Sequence, residues 1–410
     1  MRIALAVEGT RGDVHPMLSL GRAFRSLGHD VVLCGPPNFE KTAAECDIDF
    51  REVGEDTRAF LDDVASAIRS RGLAANRAQF VYFKQSIERQ FSRLPDATRD
   101  CDIMLGAGVQ LAGPSVADFH GIPYRYVAYC PAMFPSDDYA PPFVPMQGLP
   151  RWLNRLAWWF TMGPADALLR FGINRARERY LGMDRIDCAY TNLLSRAPIL
   201  AADPVLAPVP RDTPIPVTTL GCFHDHEPEA LPEKLEQFLA AGPPPVYIGF
   251  GSMTDPDPGT TTRLVTQAIE AAGCRALVSQ GWAGLGGEAL PADVMEIGPV
   301  SHAALFPRCA AVVHHGGAGT TTRTAQAGVP QIIVPHLLDQ YWWGQRIESM
   351  GLAPAPLPRT GLDAPQLASA IRAVVDNEFL ADRAREVGEQ IAPDPTPVAA
   401  ARAILDESRI

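Results

Sequence analysis

Five apolar residues in a row, Ile3 to Val7, open the chain. A run without polar alternation predicts a strand buried on both faces, as in a parallel sheet. After a short turn, Met17, Leu20, Phe24 and Leu27 recur at helical spacing across PMLSLGRAFRSLGH. That predicts a helix with Pro16 in its first turn and Gly28 at its C-terminal cap. DVVLCGPP reads as the next strand and its stop, and the rhythm returns at CDIMLGAG and IPYRYVAYCP. Repeated strand–helix–strand units predict a doubly wound α/β domain.

From Tyr129 to Phe171 the pattern changes. Proline and aromatic residues crowd together: Phe134, Tyr139, Phe143, Trp152, Trp158, Trp159 and Phe160. Such a stretch is either a hydrophobic sub-core, including a helix packed on the sheet, or an apolar wall for an acceptor or a membrane surface. Asp203 to Pro216, DPVLAPVPRDTPIP, is too rich in proline for a central strand and reads as a linker or an edge segment. The α/β rhythm then restarts. PPVYIGFGSM is a strand and turn, TTRLVTQAIEAAG a helix, CRALVSQG a strand. VMEIGPV, LFPRCAAVVHHGG, a helix through Ala327, QIIVP and a helix from about Asp339 follow, with a helical tail. A second parallel α/β domain is the simple reading.

Composition narrows the class. At roughly 100–200 residues per domain, 410 residues fit two domains. Hydrophobic residues make up 47% and charged residues 20%, enough to bury large cores. The net charge of −11 argues against a nucleic-acid partner, which needs a basic surface. The apolar run in MRIALAVEGT is too short for a signal peptide, and no stretch reaches the roughly 20 residues of a spanning helix. Eight scattered cysteines without a C-x-x-C pair read as thiols of a reducing cytosol, so a cytoplasmic protein is expected. His224 and His226 have metal-like spacing but no obvious third ligand, and read as loop histidines; no metal site is expected.

The candidate chemistry lies in HHGGAGTTTRTAQAGVP, His314 to Pro330. A strand ends at the histidines and a helix opens after the glycines, closed by Gly328. A helix N-terminus carries unpaired N–H groups and partial positive charge. Gly316, Gly317 and Gly319 let an anion approach the backbone. Thr320 and Thr321 add hydroxyls, and His315 can donate a further hydrogen bond. The bland alternative is a tight strand-to-helix turn with threonine caps. The loop lacks the Gly-Lys-Ser/Thr ending of a Walker A motif, and the third glycine of a dinucleotide fingerprint would fall at Thr322.

That segment, with PHLLDQYWWGQRIESMG after it, resembles the donor-binding signature of family 1 glycosyltransferases of the GT-B fold. Bacterial natural-product enzymes of the vancomycin group and sterol glucosyltransferases are the nearest in texture. GTRGDVHPMLSLGRAF, GFGSM and SQGWAG fit the same pattern in the same order, so the resemblance covers nearly the whole chain. It implies two Rossmann-like domains facing a cleft: an acceptor domain over 1–215 and a donor domain over 216–385, with a helix at about 386–410 crossing back to the first. It places the donor diphosphate at His315, Gly316, Gly317, Gly319 and Thr320, with Ser252 facing it. Trp282 would stack on the base, and Val300 would hydrogen-bond the base edge through its backbone. The alternative for Trp282 is a partly buried core residue. Asp339 and Gln340 match the pair that holds the sugar hydroxyls; Asp339 is equally suited to a helix N-cap. Arg323 departs from the plant pattern, which has glutamate on the ribose, and Trp343-Gly344 departs from a common Asn-Ala.

In the first domain the resemblance puts Asp13 where many members carry a histidine base, with His15 as the alternative. Thr10 and Arg11 share the turn and could reach donor phosphates. A helix starting near Pro16 makes Asp13 a candidate N-cap, and the helix end favours its ionised form, which weakens it as a base. Phe134, Tyr139, Phe143 and Trp152 are the candidate acceptor contacts. The implied reaction is inverting transfer of a sugar from a UDP- or TDP-sugar to a hydroxyl of an apolar or aromatic small molecule: a natural product, polyketide, phenol or sterol. No cofactor or metal is expected; Asp255-Pro-Asp257 spells a D-x-D sequence but reads as helix entry. A lipid acceptor would bring peripheral membrane contact, although no basic amphipathic helix stands out. The alternatives are a GT-B sugar-nucleotide epimerase and a non-catalytic nucleotide-sugar-binding protein.

Overall fold

The computed structural model describes residues 1–69, 73–224, 230–287, 290–391 and 396–407, with side chains left aside at 64–69 and 73–80. His226 lies outside the described residues. The chain divides into two compact units. Unit 1 is Met1–Pro141, Leu149–Asp225 and Asp394–Ile410; unit 2 is Pro142–Gly148 and His226–Pro393.

Unit 1 holds β1 (Arg2–Glu8), β2 (Asp30–Gly35), β3 (Asp49–Glu52), β4 (Ile103–Gly108), β5 (Tyr124–Ala128), β6 (Ile199–Leu200) and β7 (Thr218–Thr219). They form one parallel sheet in the order β3-β2-β1-β4-β5-β6-β7. Its helices are α1 (Arg11–Ser26), α2 (Glu40–Glu45), α3 (Thr57–Arg69), α4 (Leu73–Ala97), α5 (Gly113–His120), α6 (Arg151–Ala176) and α7 (Ala189–Leu194). Ile3 to Val7 are wholly buried, as an uninterrupted apolar run in a central parallel strand requires. The proline-rich stretch before β7 runs into the sheet edge, and the unit boundary comes at Asp225 rather than at 215/216.

Unit 2 holds α8 (Glu233–Ala240), β8 (Val246–Gly249), α9 (Pro258–Ala272), β9 (Ala276–Ser279), β10 (Val294–Ile297), α10 (His302–Leu305), β11 (Ala311–His314), α11 (Ala318–Gln326), β12 (Gln331–Ile333), α12 (Gln340–Ser349), α13 (Ala364–Val375) and α14 (Glu378–Gln390). Its parallel sheet runs β10-β9-β8-β11-β12. The chain ends in α15 (Pro397–Glu407), which groups with unit 1 and packs on α1. Residue 386 falls inside α14 in unit 2, so the return to unit 1 begins later, at Asp394.

Two features of unit 1 matter for function. First, α1 starts at Arg11, not near Pro16. Thr10 is its N-cap and Asp13 its third residue, joined in a capping box. Pro16 sits inside the helix. Second, the C-terminal half of the aromatic stretch is the 26-residue α6, a helix that carries Gly163 and Pro164 within it. Pro164 is exposed, so the carbonyl it leaves without a partner one turn earlier lies on the water side.

Both sheets reverse their strand order once. The reversal lies between β1 and β4 in unit 1, and between β8 and β11 in unit 2. Ligands of open α/β sheets bind outside the carboxyl ends of the strands at such points.

Candidate active site

The unit 1 reversal is lined by the turn after β1 and the end of β4. Thr10 N donates to Asp13 Oδ2 at 2.8 Å, and the Thr10 hydroxyl lies 3.4 Å from the same oxygen. A Cβ added at Gly9 would come within 2.1 Å of Oδ2, so only glycine lets this carboxyl fold back on its turn. Gly108, at φ +64°, closes the other side; a Cβ there would lie 2.1 Å from Glu8 O and 3.2 Å from Asp13 Oδ1. Tyr129 Oη donates to the Asp13 main-chain oxygen at 2.9 Å.

Asp13 keeps some exposed surface, yet its carboxyl lies deep among protein atoms. Burial pushes its pKa from 3.8 up to about 6, against the lowering effect of the Thr10 hydrogen bonds. The helix end favours the ionised form, but desolvation outweighs it. The result is a carboxylate that is ionised at neutral pH and more basic than an ordinary aspartate. His15 is on the exposed side of α1, its ring edge-on to Phe39 at 6.4 Å.

Sequence reasoning missed Glu8. It is fully buried at the end of β1 and accepts from Tyr82 Oη at 2.7 Å and from Glu55 N at 3.2 Å. Its second oxygen has no hydrogen-bond partner, and burial raises its pKa from 4.5 to about 7. The available signal was a carboxylate closing an otherwise apolar strand.

The unit 2 reversal gathers the glycine-rich turn and the histidines before α11. Gly316 has φ +86°, and a Cβ there would come 2.8 Å from Ile333 Cγ2 and 3.0 Å from Gln340 O. Glycine is therefore required both by the backbone and by the approach of α12. Gly316 N donates to His314 Nδ1 at 3.0 Å, which puts the proton of His314 on Nε2, facing Gln331 Oε1 at 2.8 Å. The Gln331 amide then donates to Thr321 O at 3.2 Å. His314 is thus a structural part of the turn.

His315 lies against Gly251 and Gly317: an added Cβ would meet its ring at 2.9 and 2.4 Å respectively. Burial lowers its pKa to about 3, and its Nδ1 has no partner. It is a neutral donor, not a cation. Gly317 is the N-cap of α11 and supplies no side-chain cap, whereas α1, α9, α13 and α14 all have one. No N-cap side chain therefore occupies the N–H groups in the first turn of α11, with Gly319 and Thr320; an anion site needs this, and α5, α6 and α8 share it.

Around this turn, Ser252 is buried after β8, and Trp282 N donates to Gly251 O at 2.9 Å, joining the two loops. Trp282 and Val300 are half-buried; Val300 packs on the core formed by Leu277, Phe306 and Val312. Gln340 is buried, and its Oε1 accepts from His336 N and Leu337 N at 2.8 and 3.1 Å. Its Nε2 donates to Met253 Sδ at 3.4 Å. The carboxamide thus braces its own loop. Asp339 occupies the N-cap position of α12 but forms no side-chain cap bond. Arg323 Nη1 donates to Gln326 Oε1 at 3.3 Å. Trp343 is a fully buried core residue, and Gly344 leaves room for Pro356.

Asp255 and Asp257 are both engaged. Asp257 caps α9 through Thr260 N at 3.1 Å; Asp255 pairs with Arg359 and accepts from Thr261 Oγ1 at 2.7 Å. The expected acceptor residues differ in burial and in unit. Phe134 is wholly buried and offers no surface to a ligand. Tyr139 is half-buried, its hydroxyl 3.3 Å from Pro208 O. Trp152 is exposed on α6, and Phe143 lies in the stretch that groups with unit 2. Aromatic crowding did not distinguish core from surface.

Over 99% of its length the chain is 36% identical to the vancomycin aglycone glucosyltransferase of Amycolatopsis orientalis, covering 97% of that protein. The chain belongs to the vancomycin-group glycosyltransferases. Residues 3–114 match the model of the glycosyltransferase family 28 N-terminal domain, and residues 279–406 that of the erythromycin biosynthesis protein CIII-like C-terminal domain. The sterol 3-beta-glucosyltransferase UGT80B1 of Arabidopsis thaliana is 32% identical over 92% of this glycosyltransferase and 63% of its own length. Among solved structures, the calicheamicin glycosyltransferase CalG4 aligns over 99% of this chain and 97% of its own, with a TM-score of 0.74 and 16% identity. VinC in complex with dTDP aligns over the whole of both chains, with a TM-score of 0.68 and 19% identity. These likenesses establish the GT-B fold of this glycosyltransferase.

Proposed function

We propose that this glycosyltransferase moves a sugar, with inversion, from a UDP- or TDP-sugar to a hydroxyl of a lipophilic or aromatic small molecule. Unit 2 binds the donor and unit 1 the acceptor. The acceptor oxygen attacks the anomeric carbon as Asp13 takes its proton. The bond from that carbon to the diphosphate breaks on the opposite face, and the nucleoside diphosphate departs. General-base assistance of this kind contributes roughly 10²–10⁴-fold.

The observation that carries the reading is Asp13 itself: a buried carboxyl, raised to about 6, fixed by Thr10 at the strand-order reversal of unit 1. The glycine turn at Gly316 and Gly317, opening α11 without an N-cap side chain, supports the diphosphate assignment. Main-chain amides and the neutral His315 N–H stabilise the charge on the leaving group, and we propose that no metal is required. Asp255 and Asp257 already hold Arg359, Thr261 and the start of α9.

The dTDP complex of VinC supports the TDP choice. A vancomycin aglycone and a sterol, named for two relatives, support a bulky apolar or aromatic acceptor.

The test is Asp13→Ala. It should bind UDP or TDP as the parent does and lose transfer by at least 100-fold. Transfer at the parent rate refutes the base. Nucleotide binding by the parent without transfer to any acceptor points instead to a non-catalytic binding protein. Transfer in the presence of EDTA tests metal independence separately.

A further inference from the structure

We infer that the outer face of α6 seats this protein on the surface of an anionic phospholipid bilayer. The helix is held on unit 1 by Asn154, Trp158, Ile173 and Ala176, which are buried. Its other side carries Trp152, Leu156, Trp159, Phe160, Leu168 and Phe171. Each is 41–73% exposed, with Trp159 at 71% and Phe171 at 73%. At about 100° per residue all six fall within one half of the helix circumference. Gly163, Pro164 and Ala167, also exposed, fill the middle of the same arc. Trp159 and Phe160 stand edge-to-face at 4.6 Å, so they form a joint apolar surface rather than two isolated side chains. A continuous exposed stripe of this size marks an interaction site.

Charge selects the occupant. The single acid of α6, Asp166, is turned inward: its side chain is 13% exposed and accepts from Tyr190 N at 2.9 Å and Cys188 Sγ at 3.2 Å. The outward charges of the helix are all arginines. Arg151, Arg155 and Arg170 are 52%, 73% and 42% exposed, and Arg175 is exposed near the C-terminal end. Arg151 and Arg155 pair with Asp137, Asp138 and Asp212, whose side chains lie deeper, so the guanidinium groups remain outermost. In a chain of net charge −11, this is an apolar stripe with Arg151 and Arg155 along one edge and Arg170 and Arg175 towards its C-terminal end.

Tryptophan and arginine around an apolar centre are suited to the headgroup boundary, where indoles sit at the interface and guanidinium groups reach phosphate. From Trp152 to Phe171 the stripe is about 28 Å long at 1.5 Å per residue. Among the described residues no helix is long and apolar enough to cross a membrane, so α6 lies in the surface plane. The fold carries this face across Gly163 and Pro164, which remain within the helix.

The experiment is co-sedimentation with 100-nm vesicles of phosphatidylcholine, alone or with 30% phosphatidylglycerol. The parent should sediment with the anionic vesicles at least tenfold more strongly than with the neutral ones, with a blue shift of tryptophan emission. Trp159→Ser/Phe171→Ser should lose at least tenfold in binding while keeping its melting temperature and its nucleotide affinity. Arg175→Ala should lose about fivefold, the worth of one surface cation. Failure of the parent to bind anionic vesicles, or unchanged binding by the double variant, overturns the proposal. So does a parent dimer in analytical ultracentrifugation that the double variant dissociates, because a second copy then covers the face. A raised acceptor KM in vesicle-free buffer, with vesicle binding intact, also overturns it and makes the face an acceptor wall. None of these readings depends on the identity of the sugar donor.

Discussion

Asp13→Asn should stabilise the protein at neutral pH while abolishing transfer. The folded-state pKa of Asp13 is raised from 3.8 to about 6. Between those values the folded state holds a proton that the unfolded chain releases, so stability falls as pH rises through this window. Above pH 6 the ionised carboxyl costs the fold about 3 kcal/mol, at 1.36 kcal/mol per unit of pKa. Asparagine is neutral at every pH, and its carboxamide oxygen can still accept from Thr10 N, now 2.8 Å from Oδ2. The substitution should therefore recover up to about 3 kcal/mol at pH 7.5 and almost none at pH 4. For a unit of this size that is about 6–12 °C in melting temperature as an upper bound. The assay is differential scanning calorimetry of parent and variant at both pH values, following the transition of unit 1, with transfer measured alongside. A variant no more stable than the parent at pH 7.5, or equally stabilised at pH 4, would refute the claim that burial governs this carboxyl.

Other outcomes follow from the same geometry. Parent kcat/KM should fall about tenfold per pH unit below 6 as Asp13 is protonated, which a pH–rate profile checks. His315→Ala should weaken nucleoside diphosphate binding by about 10–100-fold, the worth of one hydrogen bond to a charged group. Because His315 is already neutral above about pH 3, titration calorimetry should find that loss the same at pH 5.5 and 8. Gly316→Ala should lower stability by at least about 2 kcal/mol, from its left-handed backbone and the 2.8 Å approach of Ile333, and should reduce diphosphate affinity with it. Tyr82→Phe removes a donor to Glu8 and raises that carboxyl further; the variant should be destabilised more at pH 8.5 than at pH 5.5 in urea titrations.

Much of the fold could be read from the chain because parallel strands are buried on both faces. Ile3–Val7, the strand ending at Gly108 and the strand ending at His314 are all unbroken apolar runs. Glycine stops were equally clear: Gly28, Gly273 and Gly328 all take left-handed conformations where helices end. β3 was not legible, because DFRE is an edge strand with three exposed residues and no apolar pattern. The start of α1 was misplaced because Pro16 is a strong local signal, yet the Thr10–Asp13 capping box outweighs it.

The site was legible in its turns and not in its depth. The glycines and His315 sit at one strand-order reversal and Asp13, which the family resemblance singled out, at the other. No spacing reveals that burial reverses the expected effect of the helix end on Asp13, or that Gln340 spends its carboxamide on its own loop. The aromatic stretch was the least readable. The same residue types supply the buried Phe134 and the exposed Trp159, and only the fold separates them.

The most direct test is a crystal structure with thymidine diphosphate bound. The account predicts the diphosphate at the first turn of α11, on the main-chain N–H groups of Ala318, Gly319 and Thr320 and within hydrogen-bond reach of His315. A diphosphate bound elsewhere, with that turn left to water, would contradict it.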